Sequence, residues 1–241
     1  MTNFNVVTQK VLEKISDLLE NQKKSVITIF DLDSTLFNVT KRSQQILRDF
    51  ANEPEIKKSF PSETQILKQI ETFHDDWGVR TAVERNGIHD PDLFLLLRNY
   101  WVEHFFSSHY LDHDFPYDGA VDFVNQVWNL GSHITYLTGR DTVSMLDGTI
   151  TSLQSWNFPL NKNRVELQLK PGKHLVDVDY KENVIRSIEN QFDYILYFEN
   201  EPVIVNRILK QIPKVDIIYM DSVHSGKEEI STELPTLAMR F

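Results

Sequence analysis

The stretch SVITIF at residues 25–30, running straight into Asp31-Leu32-Asp33-Ser34-Thr35-Leu36, decides the reading of this chain. A short apolar run rich in β-branched residues predicts a strand buried on both faces, the habit of a parallel sheet. The two aspartates stand two residues apart where the chain leaves that strand, so both carboxylates can reach one pocket. Taken alone, the pair also fits a strand end followed by an ordinary Asp/Ser cap.

The pattern repeats downstream. Residues 134–137 predict a second strand, ending in Thr138-Gly139-Arg140-Asp141. Ahead of it, Ala120, Val121, Val124, Val127, Trp128 and Leu130 share one helical face, and Gly131 stops the helix. Helical spacing recurs over 143–156, and 165–169 alternates as a strand does. A short helix is predicted at 181–191. The run YILYF at 194–198 is a third strong strand, ending in Glu199-Asn200-Glu201-Pro202. Pro202 suits the first turn of a further helix, and 215–220 predicts a last strand closed by Asp221. Residues 222–241 carry no readable pattern, while 1–22 read as an amphipathic helix.

Strands alternating with helices predict an α/β fold, a Rossmann-like, mainly parallel sheet, with ligands at the carboxyl ends of the strands. Asp31, Asp33, Thr138, Glu199 and Asp221 all stand there. From Asp31 to Thr138 the chain runs 107 residues, whereas a βαβ unit needs about 30. The excess predicts an inserted, mostly α-helical cap over 37–116. The core is then 1–36 with 117–241.

Composition sets limits. The chain has 241 residues and a formal charge of −10, with 41% hydrophobic and 25% charged residues and no cysteine. Thiolate catalysis, disulfides and thiolate metal sites are excluded. The acidic balance argues against a nucleic-acid partner. No apolar run nears the ~20 residues that cross a bilayer. Residues 1–22 lack the apolar core of a signal peptide, so a cytoplasmic location is expected.

Two close carboxylates repel, and one pKa rises unless a cation intervenes. They can divide the roles of nucleophile and general acid/base, or share a hard divalent cation with a phosphate. Read together, the spaced motifs resemble the haloacid dehalogenase superfamily of phosphotransferases. Asp31-Leu32-Asp33-Ser34-Thr35 matches its first motif, and Tyr136-Leu137-Thr138-Gly139-Arg140 resembles its second. Lys181 stands in the place of the third, and Phe198-Glu199-Asn200-Glu201 in that of the fourth.

The resemblance implies that Asp31 attacks phosphorus and forms an aspartyl-phosphate. Asp33 protonates the leaving group and then activates water. Thr138, with Ser34 and Gly139, binds phosphoryl oxygens, and Lys181 steadies the nucleophile. Mg2+ is held by Asp31, the Asp33 carbonyl, Glu199 and Asn200. The implied activity is hydrolysis of a small phosphorylated metabolite. A phosphotransferase or mutase on the same intermediate, and a non-catalytic phosphate-binding module, stand as alternatives. Because Asp33 is present, phosphate chemistry is implied rather than carbon–halogen cleavage.

Glu199-Asn200-Glu201 departs from the usual paired aspartates of the fourth motif. Lys170 and Lys173 rival Lys181. Arg140 either touches substrate or caps a loop through a carboxylate such as Asp141. His109 and His113, with Asp112 and Asp114 beside them, offer a remote chance of a second metal site.

Overall fold

The computed structural model describes residues 5–241; the first four residues of the segment expected to open the core lie outside that range. In chain order the core begins with α1 (Val6–Ser16), prolonged by a π-helical turn over Asp17–Asn21, and β1 (Val26–Phe30). Then come β2 (Phe37–Asn38), α2 (Thr40–Phe50), α3 (Pro54–Ser59), α4 (Pro61–Gln69), α5 (Arg80–Arg85), α6 (Pro91–Phe105) and β3 (Phe115–Pro116). The chain continues through α7 (Ala120–Leu130), β4 (His133–Asp141), α8 (Leu146–Ser155), β5 (Val165–Lys170) and α9 (Asp177–Ile188). It ends with β6 (Tyr194–Glu199), α10 (Pro202–Gln211), β7 (Val215–Met220) and β8 (Thr236–Leu237).

Six strands form one parallel sheet in the order β5-β4-β1-β6-β7-β8. β1 lies between β4 and β6, where the chain's winding direction reverses, so its carboxyl end opens a crevice. Strand periodicity decides what each side chain meets. Val26 and Phe30 on β1, with Leu196 and Phe198 on β6, join Phe123 and Val127 of α7 and Ile15 of α1. Ile27 and Ile29, with Ile195 and Tyr197, join Ile185 of α9 and Val205 and Ile208 of α10. The sheet is therefore buried on both faces, which is why SVITIF and YILYF are unbroken apolar runs rather than alternating ones. Phe30 stacks on Phe198 with ring centroids 4.8 Å apart, and Phe123 meets Phe198 edge-on at 5.4 Å.

The long interval between β1 and β4 is helical, as its length and apolar spacing predicted. Its ends are tied by β2 and β3, which pair antiparallel with Phe37 opposite Pro116. Leu47, Phe50, Leu67, Val83, Leu93 and Leu97 form an apolar cluster separate from the two around the sheet.

Three expectations need correction. The helix expected to open at Lys181 opens at Asp177, one turn earlier, with Asp177 and Asp179 in its first turn, where acidic residues complement the helix dipole. The helix expected over 143–156 starts at Leu146, because the Asp141 carboxylate accepts from the main-chain N–H groups of Val143 and Ser144 and holds a turn there. The segment left without assignment contributes β8, which pairs with β7 through Tyr219 and Met220. Among the described residues no helix is long and apolar enough to cross a membrane.

Candidate active site

The alternation that packs β1 and β6 also builds the site. Ile27 and Ile29 face α9, and Asp31 continues that phase; Ile195 and Tyr197 face α9 too, and Glu199 follows them. On α9, Lys181 lies one turn before the buried Ile185, so its ammonium enters between the two carboxylates. Lys181 Nζ donates to Asp31 Oδ1 at 2.6 Å and to Glu199 Oε2 at 2.7 Å, with all three side chains at 5% exposure or less. Burial opposes the ammonium's charge, but Asp31 and Glu199 outweigh it and hold the Lys181 pKa above its ordinary value. Burial pushes Asp31 up to about 7; Lys181 opposes that rise, while Glu199 and Asp33 add to it.

The rival lysine Lys170 is engaged elsewhere. It pairs with Asp177 at 2.5 Å and donates to the Leu175 carbonyl. Lys173 is exposed and does not line the cavity.

Glu199 is saturated. Its Oε1 accepts from the main-chain N–H groups of Asn200 and Glu201, both at 3.0 Å. Its Oε2 accepts from Lys181 and from the Tyr197 hydroxyl. The cation expected on Glu199 thus meets a carboxylate with two donors on each oxygen. Asp31 differs: among the described residues no donor reaches its Oδ2. Asn200 Oδ1 accepts one bond, from Thr35 at 3.2 Å, while its amide nitrogen donates to the Val223 carbonyl. The oxygens left for a cation are those of the Asp31 carboxylate, whose Oδ1 has accepted only from Lys181, and Asn200 Oδ1, with the Asp33 carbonyl that the motif resemblance adds. All are hard oxygens and only one group is a carboxylate, which fits magnesium completed by phosphate and water.

Asp33, its side chain 25% exposed, reaches into a second charge cluster whose other members are buried. Its Oδ1 accepts from Arg42 Nη2 at 2.7 Å, Arg140 Nη2 at 2.5 Å and Arg140 Nε at 3.1 Å. Its Oδ2 receives only a long contact from Arg42 at 3.4 Å. Asp114 completes the set, bonding Arg42 and accepting from Arg140 at 2.9 Å. Two guanidiniums and two carboxylates thus join α2, the segment before β3, and the ends of β1 and β4. Burial would raise Asp33, but Arg140 and Arg42 outweigh it and hold the carboxyl far below the usual range.

Of the alternatives for Arg140, binding to carboxylates is what the structure shows, but the partners are Asp33 and Asp114 rather than Asp141, and the arginine is buried. Arg42 as a partner of Asp33, and Asp114 as the carboxylate that shares both arginines with it, were missed. A signal existed for Arg42, which continues the buried helical face of Ile46 and Phe50 with a charge.

Thr138 and Gly139 fall where β4 loses register with β5, between Leu137 and Asp141. Such irregularities re-aim side chains, and both residues line the cavity. Ser34 does so too. It is held in the left-handed region (φ 63°), its N–H donates to the Phe37 carbonyl at 2.7 Å, and its own carbonyl accepts from the Ser222 hydroxyl. A backbone position so disfavoured for serine persists only where the surroundings impose it.

The remaining candidates settle into other roles. Glu201 accepts from Ser225, pinning the segment after β7. Asp221 is exposed and outside the cavity. His109 and His113 sit on a 3-10 turn, where i and i+4 do not share a face. Asp114 is committed to the arginines. Among the described residues no group of three or more His, Asp or Glu side chains is arranged to hold a metal.

Asp31, Asp33, Ser34, Thr138, Gly139, Lys181, Glu199 and Asn200 thus line one cavity of about 470 Å³ at the carboxyl ends of the strands, between the sheet and the inserted helices. No family model and no curated protein matches the chain. Solved structures do. The "Putative Phosphatase from Clostridium difficile" is 16% identical, with 85% of this chain and 89% of that chain covered and a TM-score of 0.54. The Mycobacterium tuberculosis Protein Tyrosine Kinase A is 11% identical over 90% of this chain and 94% of that one, with a TM-score of 0.55. At these identities the likeness establishes the fold, and that fold is the one the motif resemblance implied.

Proposed function

We propose that the protein is a magnesium-dependent phosphatase of the haloacid dehalogenase type, hydrolysing a small phosphorylated metabolite through an aspartyl-phosphate on Asp31. The observation that carries this reading is the asymmetry of Asp31: Oδ1 is fixed by Lys181, and Oδ2 is left without a donor in a residue lining the cavity. A carboxylate held by one oxygen and free at the other is oriented for in-line attack on phosphorus.

In the first half-reaction Asp31 Oδ2 attacks the phosphoryl group, and the ester oxygen takes a proton from Asp33 and leaves as the alcohol; in the second, water gives a proton to Asp33, attacks the aspartyl-phosphate and releases phosphate, restoring the Asp31 carboxylate. Thr138, Ser34 and the main chain at Gly139 are the donors for the phosphoryl oxygens. Lys181 offsets the charge gathering beside Asp31. Glu199 serves the lysine: with both oxygens occupied it fixes the ammonium against Asp31, as the supporting acid of a charged pair. Magnesium bound by Asp31, Asn200 and the Asp33 carbonyl would neutralise charge on the transferring group.

Asp33 is the acid/base. Its Oδ1 is immobilised by Arg42 and Arg140, so Oδ2 is the oxygen available for proton transfer. The same arginines disfavour its protonation. Arg42 comes from α2 of the inserted helices, so their movement away from the sheet would relax that grip. On this reading the inserted helices act as a cap, closing over bound substrate and excluding bulk water.

The test is phosphate release from a panel of small phosphate esters, with and without magnesium, by the native chain and by Asp31→Asn. Magnesium-dependent release abolished by the substitution is expected. Equal release by Asp31→Asn overturns the assignment.

A further inference from the structure

The wall facing the reacting groups is aromatic. Trp77, Trp101, Phe105 and Phe106 line the cavity from the inserted helices and their connections. Trp101 is fixed there: its Nε1 donates to Ser43 Oγ at 3.3 Å, and its ring lies 4.5 Å from Phe105 and 6.1 Å from Phe106. Its one polar atom is therefore spent inside the fold, leaving it only apolar surface to present. Trp77 is 55% exposed, a large ring at a cavity edge with surface left uncovered.

The cations of the same wall, Arg42 over the Phe105 ring at 4.4 Å and Arg85 beside Asp76, are spent on carboxylates. Thr72 is turned to the Thr40 carbonyl at 2.7 Å, and Asp76 accepts from Arg85 at 2.6 Å. Arg42 is wholly buried against Asp33 and Asp114. Among the described lining residues the cationic side chains are Lys181, held between two carboxylates, and Lys227. Lys227 is exposed, belongs to the segment after β7 and is followed by Glu228 and Glu229. Against these stand six carboxylates: Asp31, Asp33, Asp76, Asp177, Glu199 and Glu201. Because Lys181, Arg42, Arg85, Arg140 and Lys170 are each spent on one of these carboxylates, the exposed Lys227 is the lysine or arginine left among the described lining residues to receive a carboxylate or second phosphate on the substrate's alcohol.

We propose that the substrate is a monophosphate ester of an uncharged alcohol bearing a planar aromatic ring, which the site holds against Trp77 and Trp101 while the phosphate reaches Asp31. This rests on the phosphatase reading and sharpens it. Aromatic rings are held by stacking at modest ordering cost, and stacking of a base on an aromatic side chain contributes roughly ten- to hundredfold in binding. A cavity of about 470 Å³ lies within the span that holds such ligands.

The test compares kcat/KM for adenosine 5′-monophosphate, ribose 5-phosphate and 3-phosphoglycerate with magnesium present. The first two share the reacting group and differ by the base; the third adds a carboxylate. A preference for the base-bearing ester of roughly ten- to hundredfold, carried mainly in KM, is expected, with 3-phosphoglycerate the poorest. Trp77→Ala and Trp101→Ala should each pull the ratio of the first two esters toward one, and Trp101→Phe should restore most of it. Trp77 lies at the cavity edge, so its variant remains informative if Trp101→Ala fails to fold. Equal use of the first two esters, preference for 3-phosphoglycerate, or a ratio unchanged in Trp77→Ala overturns the inference and leaves the phosphatase reading standing. No phosphate release from any ester overturns the phosphatase reading, and this inference with it.

Discussion

Replacing Lys181 by methionine keeps the unbranched side chain up to its last atom and removes its charge. The ammonium lies 2.6 Å from Asp31 and 2.7 Å from Glu199 in a buried setting. Without it two carboxylates face each other with no countercharge. Breaking such a pair costs about 3–5 kcal/mol, to be set against a typical total stability of about 5–15 kcal/mol. The loss depends on pH. In the variant, burial raises the Asp31 pKa above its unfolded value of about 4, with no lysine to oppose the rise. A group so raised favours the folded state fully below its unfolded pKa and loses that contribution as pH rises through the folded pKa. The deficit of Lys181→Met should therefore be small near pH 5 and reach its full size near pH 8. Urea unfolding followed by tryptophan fluorescence, in a chelator so that no cation intervenes, reads it directly. The cycle closes with Glu199→Gln and the double variant. Because Glu199 touches Lys181, the double variant should be less unstable than the sum of the singles by about 1–3 kcal/mol. Additivity within about 0.5 kcal/mol would refute the role of Glu199 as the partner of the lysine.

Three further outcomes follow from the same geometry. Asp31 titrates about 7 before a cation binds and must be ionised to attack, so kcat/KM at limiting magnesium should rise through pH about 7, and the apparent pKa should fall as magnesium is added; a midpoint indifferent to magnesium would contradict this. Arg140→Gln removes two of the three close donors on Asp33 Oδ1 and should lower kcat at least roughly tenfold with KM little changed, a loss that Arg140→Lys does not restore, since one ammonium lacks the fork that binds Asp33 and Asp114 together; steady-state kinetics check both. Phe198→Ala opens a hole among Phe30, Phe123 and Phe241 and should cost about 3–5 kcal/mol by denaturant unfolding.

Much of the sheet was legible because burial on both faces leaves an unbroken apolar run, and 25–30, 134–137 and 194–198 are such runs. The residues just past them were legible for the same reason: polar chemistry at the end of a buried strand stands out. The start of α9 was not, because its first turn alternates two exposed aspartates with Val178 and Tyr180 and so shows no apolar helical face. β8 is two residues long, and its pairing is a property of the edge of β7, which local sequence does not contain. The arginine cluster was hidden by distance along the chain. Arg42 and Asp114 lie 72 positions apart, and neither carries a signal that names its partner. The sequence also could not show that Glu199 is fully bonded, because two of its donors are main-chain N–H groups placed by the turn into α10.

The proposed reaction passes through covalent phosphorylation of Asp31. The most direct measurement is acid quenching during turnover of a phosphate ester with magnesium, followed by peptide mass spectrometry of the segment around Asp31. One added phosphoryl group is expected on Asp31 in the native chain and none in Asp31→Asn. Steady turnover with Asp31 unmodified at every quench time, or undiminished turnover by Asp31→Asn, would contradict it.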